Sequence, residues 1–174
     1  MNMHKNLLAI ALLTLLPFMG ASAQSHAPAK AATLKSASDL HALGKQATAR
    51  RIPIVLMFSA RWCEFCTLLK EEVLAPMAAN PDYEGKVAFF RVVHIDRDDL
   101  PLVDFAGRHT THHAFAERFD VDLTPTVWIV DGQGRALTEP LVGLPGGTVE
   151  TYSETLFSRL EEALKKLGHS PVRF

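Results

Sequence analysis

The sequence predicts a single α/β domain in which a central β-sheet is flanked by helices. Three apolar runs of strand length, at residues 54–58, 87–95 and 126–130, alternate with stretches whose apolar residues recur at helical spacing. The 174 residues are enough for one hydrophobic core, and neither an internal repeat nor a second domain is visible. These observations place the chain in the α/β class.

The first half of the domain predicts a helix, a buried strand and a second helix. Ser38 is a candidate N-cap for the first helix, which the basic and proline residues at 50–53 end. Residues 54–58 form a continuous apolar run that includes β-branched side chains, as in a strand buried on both faces. Apolar residues then recur at helical spacing from 64 to 74, so the chain is expected to turn from the strand into a helix.

The second half predicts further strands and two helices. Pro76 and Pro81 are expected to interrupt the helical pattern before a second strand over residues 87–95. Beyond a charged loop at 96–99, we predict a helix over 110–119, a third strand over 126–130, a fourth near 136–142 and a helix over 149–167. Gly168 is placed to end the last helix.

The first 23 residues have the layout of a secretory signal peptide. Lys5 precedes an apolar run at 7–18, and Ala21-Ser22-Ala23 supplies the small residues that a signal peptidase reads, so cleavage is expected before Gln24. The alternative is a membrane anchor, but the apolar run is shorter than the ~20 residues that span a bilayer. We therefore predict export to the periplasm, with no stable membrane insertion after cleavage.

The sequence divides into a signal peptide (1–23), a flexible leader (24–36), the folded domain (37–168) and a C-terminal tail (169–174).

The charges are nearly balanced, with 18 basic residues, 19 acidic residues and a net charge of −1. Because no cluster of lysine and arginine stands out, nucleic-acid binding is not predicted.

Both cysteines of the chain lie in one motif, Trp62-Cys63-Glu64-Phe65-Cys66. Two thiols at this spacing form a redox centre, half of a metal site or a short structural disulfide. A structural disulfide that closes so small a loop adds little stability. A metal site would need further ligands, but His109, His112 and His113 match no zinc spacing and are expected on a solvated polar loop. The pattern therefore favours a redox centre without a metal.

The position of the motif between a strand and a helix suits thiol chemistry. Cys63 is expected at the helix N-terminus, where unpaired N–H groups and the helix dipole lower the pKa of a thiol, so we predict that it is the nucleophile. Cys66, in the first turn, would then resolve the mixed disulfide that Cys63 forms. Trp62 is expected to pack beside the pair and cover one side of it; the alternative is an ordinary core tryptophan.

Four features of the chain, in the same order, are those of a known family. They are the Trp62-Cys63-x-x-Cys66 motif after an apolar strand, Val103-Asp104-Phe105-x-Gly107, Thr124-Pro125-Thr126 opening a strand, and Asp131-Gly132-x-Gly134 turning into Gly143. Over about residues 37–167, the chain resembles the exported thioredoxin-like proteins, most closely the thioredoxin-related type associated with periplasmic sulfur oxidation (SoxW-like).

The resemblance implies a thioredoxin fold, with a central mixed β-sheet, and thiol–disulfide exchange without a bound cofactor. It implies that Pro125 is cis and faces the cysteines, which leaves the backbone of Thr124 free to pair with an extended substrate segment. Substrate binding is thus assigned to Trp62, Thr124 and Pro125. The resemblance also implies disulfide-containing protein substrates and a membrane-bound thiol reductase as the electron donor.

The chain departs from typical thioredoxins in and beneath the motif. Glu64 and Phe65 stand between the cysteines in place of Gly-Pro, and we assign both to redox tuning. Met57 stands where those proteins bury an aspartate that accepts a proton from the resolving thiol, and Val92 approximately matches the accompanying lysine. Because an acid beside Cys63 repels a thiolate there, we expect the pair to have a low, reducing reduction potential.

The sequence thus predicts an exported thiol–disulfide oxidoreductase that reduces protein disulfides through Cys63 and Cys66. A disulfide oxidase or isomerase is the alternative within the same class. A non-catalytic binding or chaperone module with a passive disulfide is the alternative that Met57 keeps open. A copper metallochaperone is a third, which soft thiolate ligands favour, but the chain lacks a methionine-rich partner motif.

Overall fold

Helices and strands alternate along residues 32–170, the part of the chain that a computed structural model describes. The predicted signal peptide lies outside the described residues, as do most of the predicted leader and the end of the tail. The helices are α1 (Leu40–Arg50), α2 (Glu64–Leu69), α3 (Ala75–Ala79), α4 (His112–Arg118) and α5 (Val149–Lys166). The strands are β1 (Ile54–Ser59), β2 (Phe89–His94), β3 (Pro101–Val103), β4 (His109–Thr111), β5 (Thr126–Val130) and β6 (Leu141–Val142).

Four strands form a mixed sheet in the order β2-β1-β5-β6, with β1 parallel to β2 and antiparallel to β5. Every residue of β1 is buried, because this strand lies in the middle of the sheet. The register places Met57 beside Val92 on one neighbouring strand and Val127 on the other. The predicted fold class, a central mixed sheet flanked by helices, is confirmed.

The middle of the chain differs from the prediction in two ways. The predicted helix over 64–74 is α2 followed by a π-helical turn, Lys70–Leu74, which runs on into α3. Pro76 does not break the helix: it follows the π-helical turn directly, and the backbone stays helical through Leu74 and Ala75 into α3. A hairpin of β3 and β4, which was not predicted, precedes α4.

Two predicted elements are shorter than expected. Residues 109–111 belong to β4, so α4 begins only at His112, where the hydroxyl of Thr111 accepts the N–H group of Ala114 as its N-cap. Of the predicted fourth strand, only the last part forms a strand, which is β6. At its predicted start, Ala136 forms a single bridge to Val130. Within the described chain, no helix is both long and apolar enough to cross a bilayer.

The start of the folded domain also differs in detail. The carbonyl of Lys35 and the N–H group of Ala37 bond to the backbone of Val92, so the chain pairs with the outer edge of β2 two residues before the predicted boundary. The N-cap of α1 is Asp39 rather than the predicted Ser38, because the Asp39 carboxylate accepts the N–H group of Ala42.

The side chains of β1 alternate between two hydrophobic cores, one on each face of the sheet. Val55 and Met57 face the core that contains Cys63 and Cys66, together with residues of α2, α3 and α5. The even-numbered residues of β1 face the other core, which α1 and α4 cover. We call these two clusters the cysteine core and the opposite core.

Candidate active site

The cysteine motif lies at the junction of β1 and α2. Cys63 is the N-cap of α2, and its sulfur accepts the backbone N–H group of Cys66 at 3.1 Å. The two residues form a disulfide with 5.2 Å between their Cα atoms. Cys63 is 9% exposed and Cys66 is fully buried, so of the two cysteines only Cys63 reaches the surface. The predicted position of Cys63 at a helix N-terminus is confirmed.

The loop before β5 lies at the same edge of the sheet. Thr126 opens β5 opposite Phe58, which places Pro125 level with the end of β1, where the chain leads to the cysteines. The Thr124–Pro125 peptide bond is cis, as the resemblance implied. The buried Pro125 accepts the N–H group of Gly143 at 2.7 Å through its carbonyl. No residue between 32 and 170 bonds to the backbone of Thr124.

Large apolar side chains are exposed around this edge. Trp62 is 70% exposed and Phe65 is 57% exposed, so the alternative of a core tryptophan is wrong. Leu68, on the next turn of α2, is also exposed. Leu123, on the loop before Pro125, and Val142, in β6 opposite Thr126, are exposed as well. Several large apolar side chains left exposed around a reactive pair are typical of a protein-binding site.

A buried carboxylate braces the loop that carries Trp62. One oxygen of Asp96 accepts both the backbone N–H group and the Nε of Arg61, at 3.2 and 2.7 Å. The Asp96 side chain is only 2% exposed. Burial alone would raise the pKa of this carboxyl, but the hydrogen bonds from Arg61 lower it overall.

Sequence reasoning missed Asp96, because it treated residues 96–99 only as a charged loop and assigned them no role. One available signal was position: Asp96 follows β2, the parallel neighbour of β1, so the two strands end at the same edge. An acidic residue directly after a strand that runs beside the motif strand is therefore a candidate for the site.

The histidine stretch also differs from the expectation of a solvated loop. His112 is buried, and its Nδ1 accepts the backbone N–H group of His94 at 3.0 Å. Burial is the main cause that lowers the pKa of both His94 and His112. His113 bonds to the carbonyl of Ile95, whereas His109 is exposed in β4. Between residues 32 and 170, no three candidate metal ligands come together.

The buried side chains beneath the disulfide are apolar. Met57 is fully buried in the cysteine core, and its register neighbours Val92 and Val127 are buried beside it. Met57 and Val92, which stand in place of the acid and the lysine of typical thioredoxins, therefore lie side by side in the sheet. No charged side chain at these positions can exchange a proton with Cys66.

Comparison with known proteins gives one family match. Residues 41–148 match the model of a family described as a thioredoxin-like domain. Similar solved structures include oxidized thioredoxin O2 from Arabidopsis thaliana, at 17% identity over 72% of this chain and 96% of that chain, with a TM-score of 0.46. Thioredoxin h from poplar is 18% identical over 69% and 86%, with a TM-score of 0.48. Reduced periplasmic thioredoxin SoxS from Paracoccus pantotrophus is 20% identical over 64% and 98%, with a TM-score of 0.42. No curated protein matches the chain.

Proposed function

We propose that this chain, which belongs to the thioredoxin-like family, is exported and reduces the disulfides of other proteins. Its family and its Cys63–Cys66 pair make it a thiol–disulfide oxidoreductase. The observation that carries the proposal is the disulfide between the N-cap of α2 and the first turn of that helix, where a reactive thiol is favoured. Export and the reducing direction are inferred from the sequence.

In the proposed reaction, the thiolate of reduced Cys63 attacks a substrate disulfide. A mixed disulfide forms, and one substrate sulfur leaves as a thiolate that takes up a proton. The sulfur of Cys66, after losing its proton, then attacks the sulfur of Cys63 and releases the second substrate thiol. The substrate gains two electrons and two protons, and the Cys63–Cys66 pair returns to the disulfide.

The exposed apolar residues around the pair suit an extended protein substrate. Trp62 provides a large flat contact beside Cys63, and Phe65 adds to it. The backbone of Thr124, which has no partner among the described residues, is available to pair with a substrate strand beside Pro125. We therefore assign substrate binding to Trp62, Thr124 and Pro125. The substrate class is a protein with an accessible disulfide.

Continuous turnover requires a donor that reduces the pair again. We assign this role to a membrane-bound thiol reductase, because an exported reductant works in an oxidising compartment. The likeness to the SoxW-like type belongs to the same proposal and rests on the four motifs of the sequence.

Export predicts a defined mature N-terminus. When the full chain is expressed in a Gram-negative host, the periplasmic fraction should contain a protein that begins at Gln24, because Ala21 and Ala23 supply the peptidase site. N-terminal sequencing and intact mass measure this. An Ala23→Asp variant serves as the control and should accumulate uncleaved. An uncleaved wild-type protein in the cytoplasm would contradict export.

Glu64 is predicted to lower the reduction potential of the Cys63–Cys66 pair. Glu64→Gln should shift the equilibrium with glutathione toward the dithiol by roughly two- to fivefold, because a charge at a helix N-terminus contributes ~0.3–1 kcal/mol. Glu72→Gln, an exposed acid further along the chain, is the matched control and should leave the equilibrium unchanged. Equal behaviour of the two variants would remove Glu64 from redox tuning.

A further inference from the structure

Reduction of the disulfide creates a polar group inside an apolar cluster. Cys66 is fully buried in the cysteine core, whose other members are hydrophobic side chains of β1, β5 and α5 among others. A dithiol reductant breaks the Cys63–Cys66 bond, becomes a disulfide itself and leaves two thiols in the protein. When Cys66 then loses its proton to attack Cys63, a buried thiolate without hydrogen-bond donors would be costly.

Two hydroxyl groups that face this core have no partner in the oxidised protein. Among residues 32–170, the oxygens of Ser59 and Tyr152 are buried and make no hydrogen bond. Ser59 lies two residues beyond Met57, and alternation along β1 therefore points it to the side of the cysteines. Tyr152 is a member of the cysteine core itself. An unpartnered buried hydroxyl costs about 1–3 kcal/mol, so two on one face call for an explanation.

Tyr152 enters the cysteine core from α5. It lies in the first turns of α5, and the segment before α5 is tied to the site because Gly143 donates to the carbonyl of Pro125. Burial raises the pKa of Tyr152 well above its ordinary value of 10.0. Its hydroxyl therefore keeps its proton and stays a donor at any pH at which the protein works.

We propose that the hydroxyl groups of Tyr152 and Ser59 are hydrogen-bond donors for the reduced cysteine pair, with the buried sulfur of Cys66 as their acceptor. They take the place of a charged group beneath the pair, where this chain has Met57 and Val92. The hydroxyls are unpaired in the disulfide form and paired in the dithiol form, so they stabilise the reduced state selectively. The inference rests on the proposed function in that the pair must cycle between these two states.

The test compares the two redox states of the protein alone, without a substrate. Tyr152→Phe and Ser59→Ala each remove one hydroxyl, and the free energy of unfolding is measured for the oxidised and the reduced protein. We expect the oxidised form to be unchanged or more stable and the reduced form to be less stable. The equilibrium with glutathione should then move toward the disulfide by about fivefold per hydrogen bond lost.

A matched control is available on the other face of the sheet. The Nε1 of Trp128 is also buried without a partner among the described residues, but Trp128 packs against the opposite core. Trp128→Phe should change the stability of both redox forms by the same amount. A loss confined to the reduced form in either hydroxyl variant supports the proposal, and equal changes in both forms for both variants overturn it. Because no turnover is measured, this outcome is independent of whether the protein proves to be a reductase.

Discussion

Cys63→Ser is expected to abolish the reduction of a disulfide substrate. Cys63 is the N-cap of α2 and the more exposed of the two sulfurs, so no other residue between 32 and 170 can replace it as the attacking thiol. Removal of a covalent nucleophile lowers turnover by roughly three orders of magnitude or more. The assay follows the reduction of insulin by the mature protein with dithiothreitol. Thr67→Ser, an exposed change one residue beyond Cys66, is the control and should retain activity.

Cys66→Ser should behave differently from Cys63→Ser. It leaves the nucleophile in place but removes the sulfur that resolves the mixed disulfide, so covalent complexes with substrate proteins should accumulate. Non-reducing electrophoresis of the variant, isolated from its host compartment, detects them. Full activity in Cys63→Ser, or the same adducts in both variants, would contradict the assignment. Intact partner binding without any reduction would instead favour the non-catalytic binding module.

The second large effect concerns stability rather than chemistry. Asp104 is buried, and one of its oxygens accepts the backbone N–H groups of Ala106 and Arg108. The other oxygen accepts Arg108 and Arg118. Asp104→Ala should lower the free energy of unfolding by about 2–3 kcal/mol, because it leaves the N–H groups of this turn without their acceptor. Chemical denaturation measures the loss. Asp99→Ala removes a solvent-exposed ion pair with Arg97 and should leave stability nearly unchanged.

The contribution of Asp104 to the free energy of unfolding should depend on pH. Burial alone would raise the pKa of Asp104, but hydrogen bonds from the backbone and guanidinium of Arg108 lower it overall from 3.8. A carboxyl with a lowered folded-state pKa stabilises the protein fully above the unfolded value, and this contribution is lost as the pH falls below it. The stability difference between the wild-type protein and Asp104→Ala should therefore be constant near neutrality and shrink below about pH 4.

The sheet could be predicted well from the sequence because its strands are buried on both faces. β1 and β5 appear as continuous apolar runs, and β5 has the predicted bounds. The hairpin of β3 and β4 could not be found in this way, since each strand has three residues and is only partly buried. Local patterns also cannot separate a proline that ends a helix from one that follows a π-helical turn within it, as at Pro76.

The site was predictable where its residues are consecutive and not where they come together in space. Cys63 and Cys66 reveal their role by spacing alone. Asp96 follows β2, Ser59 ends β1 and Tyr152 lies in α5, and each looks ordinary in its own segment. Their importance depends on burial and on hydrogen-bond partners, which arise only when the sheet and α5 pack around the cysteines.

The reduction potential of the Cys63–Cys66 pair tests the central claim most directly. The protein is equilibrated in glutathione buffers of defined ratio, and the dithiol fraction is measured by alkylation and intact mass. An acid beside Cys63 disfavours its thiolate, so we predict a value nearer that of thioredoxin, about −270 mV, than that of DsbA, about −120 mV. A value above about −180 mV, the potential of protein disulfide isomerase, would contradict the reducing role and favour an oxidase or isomerase.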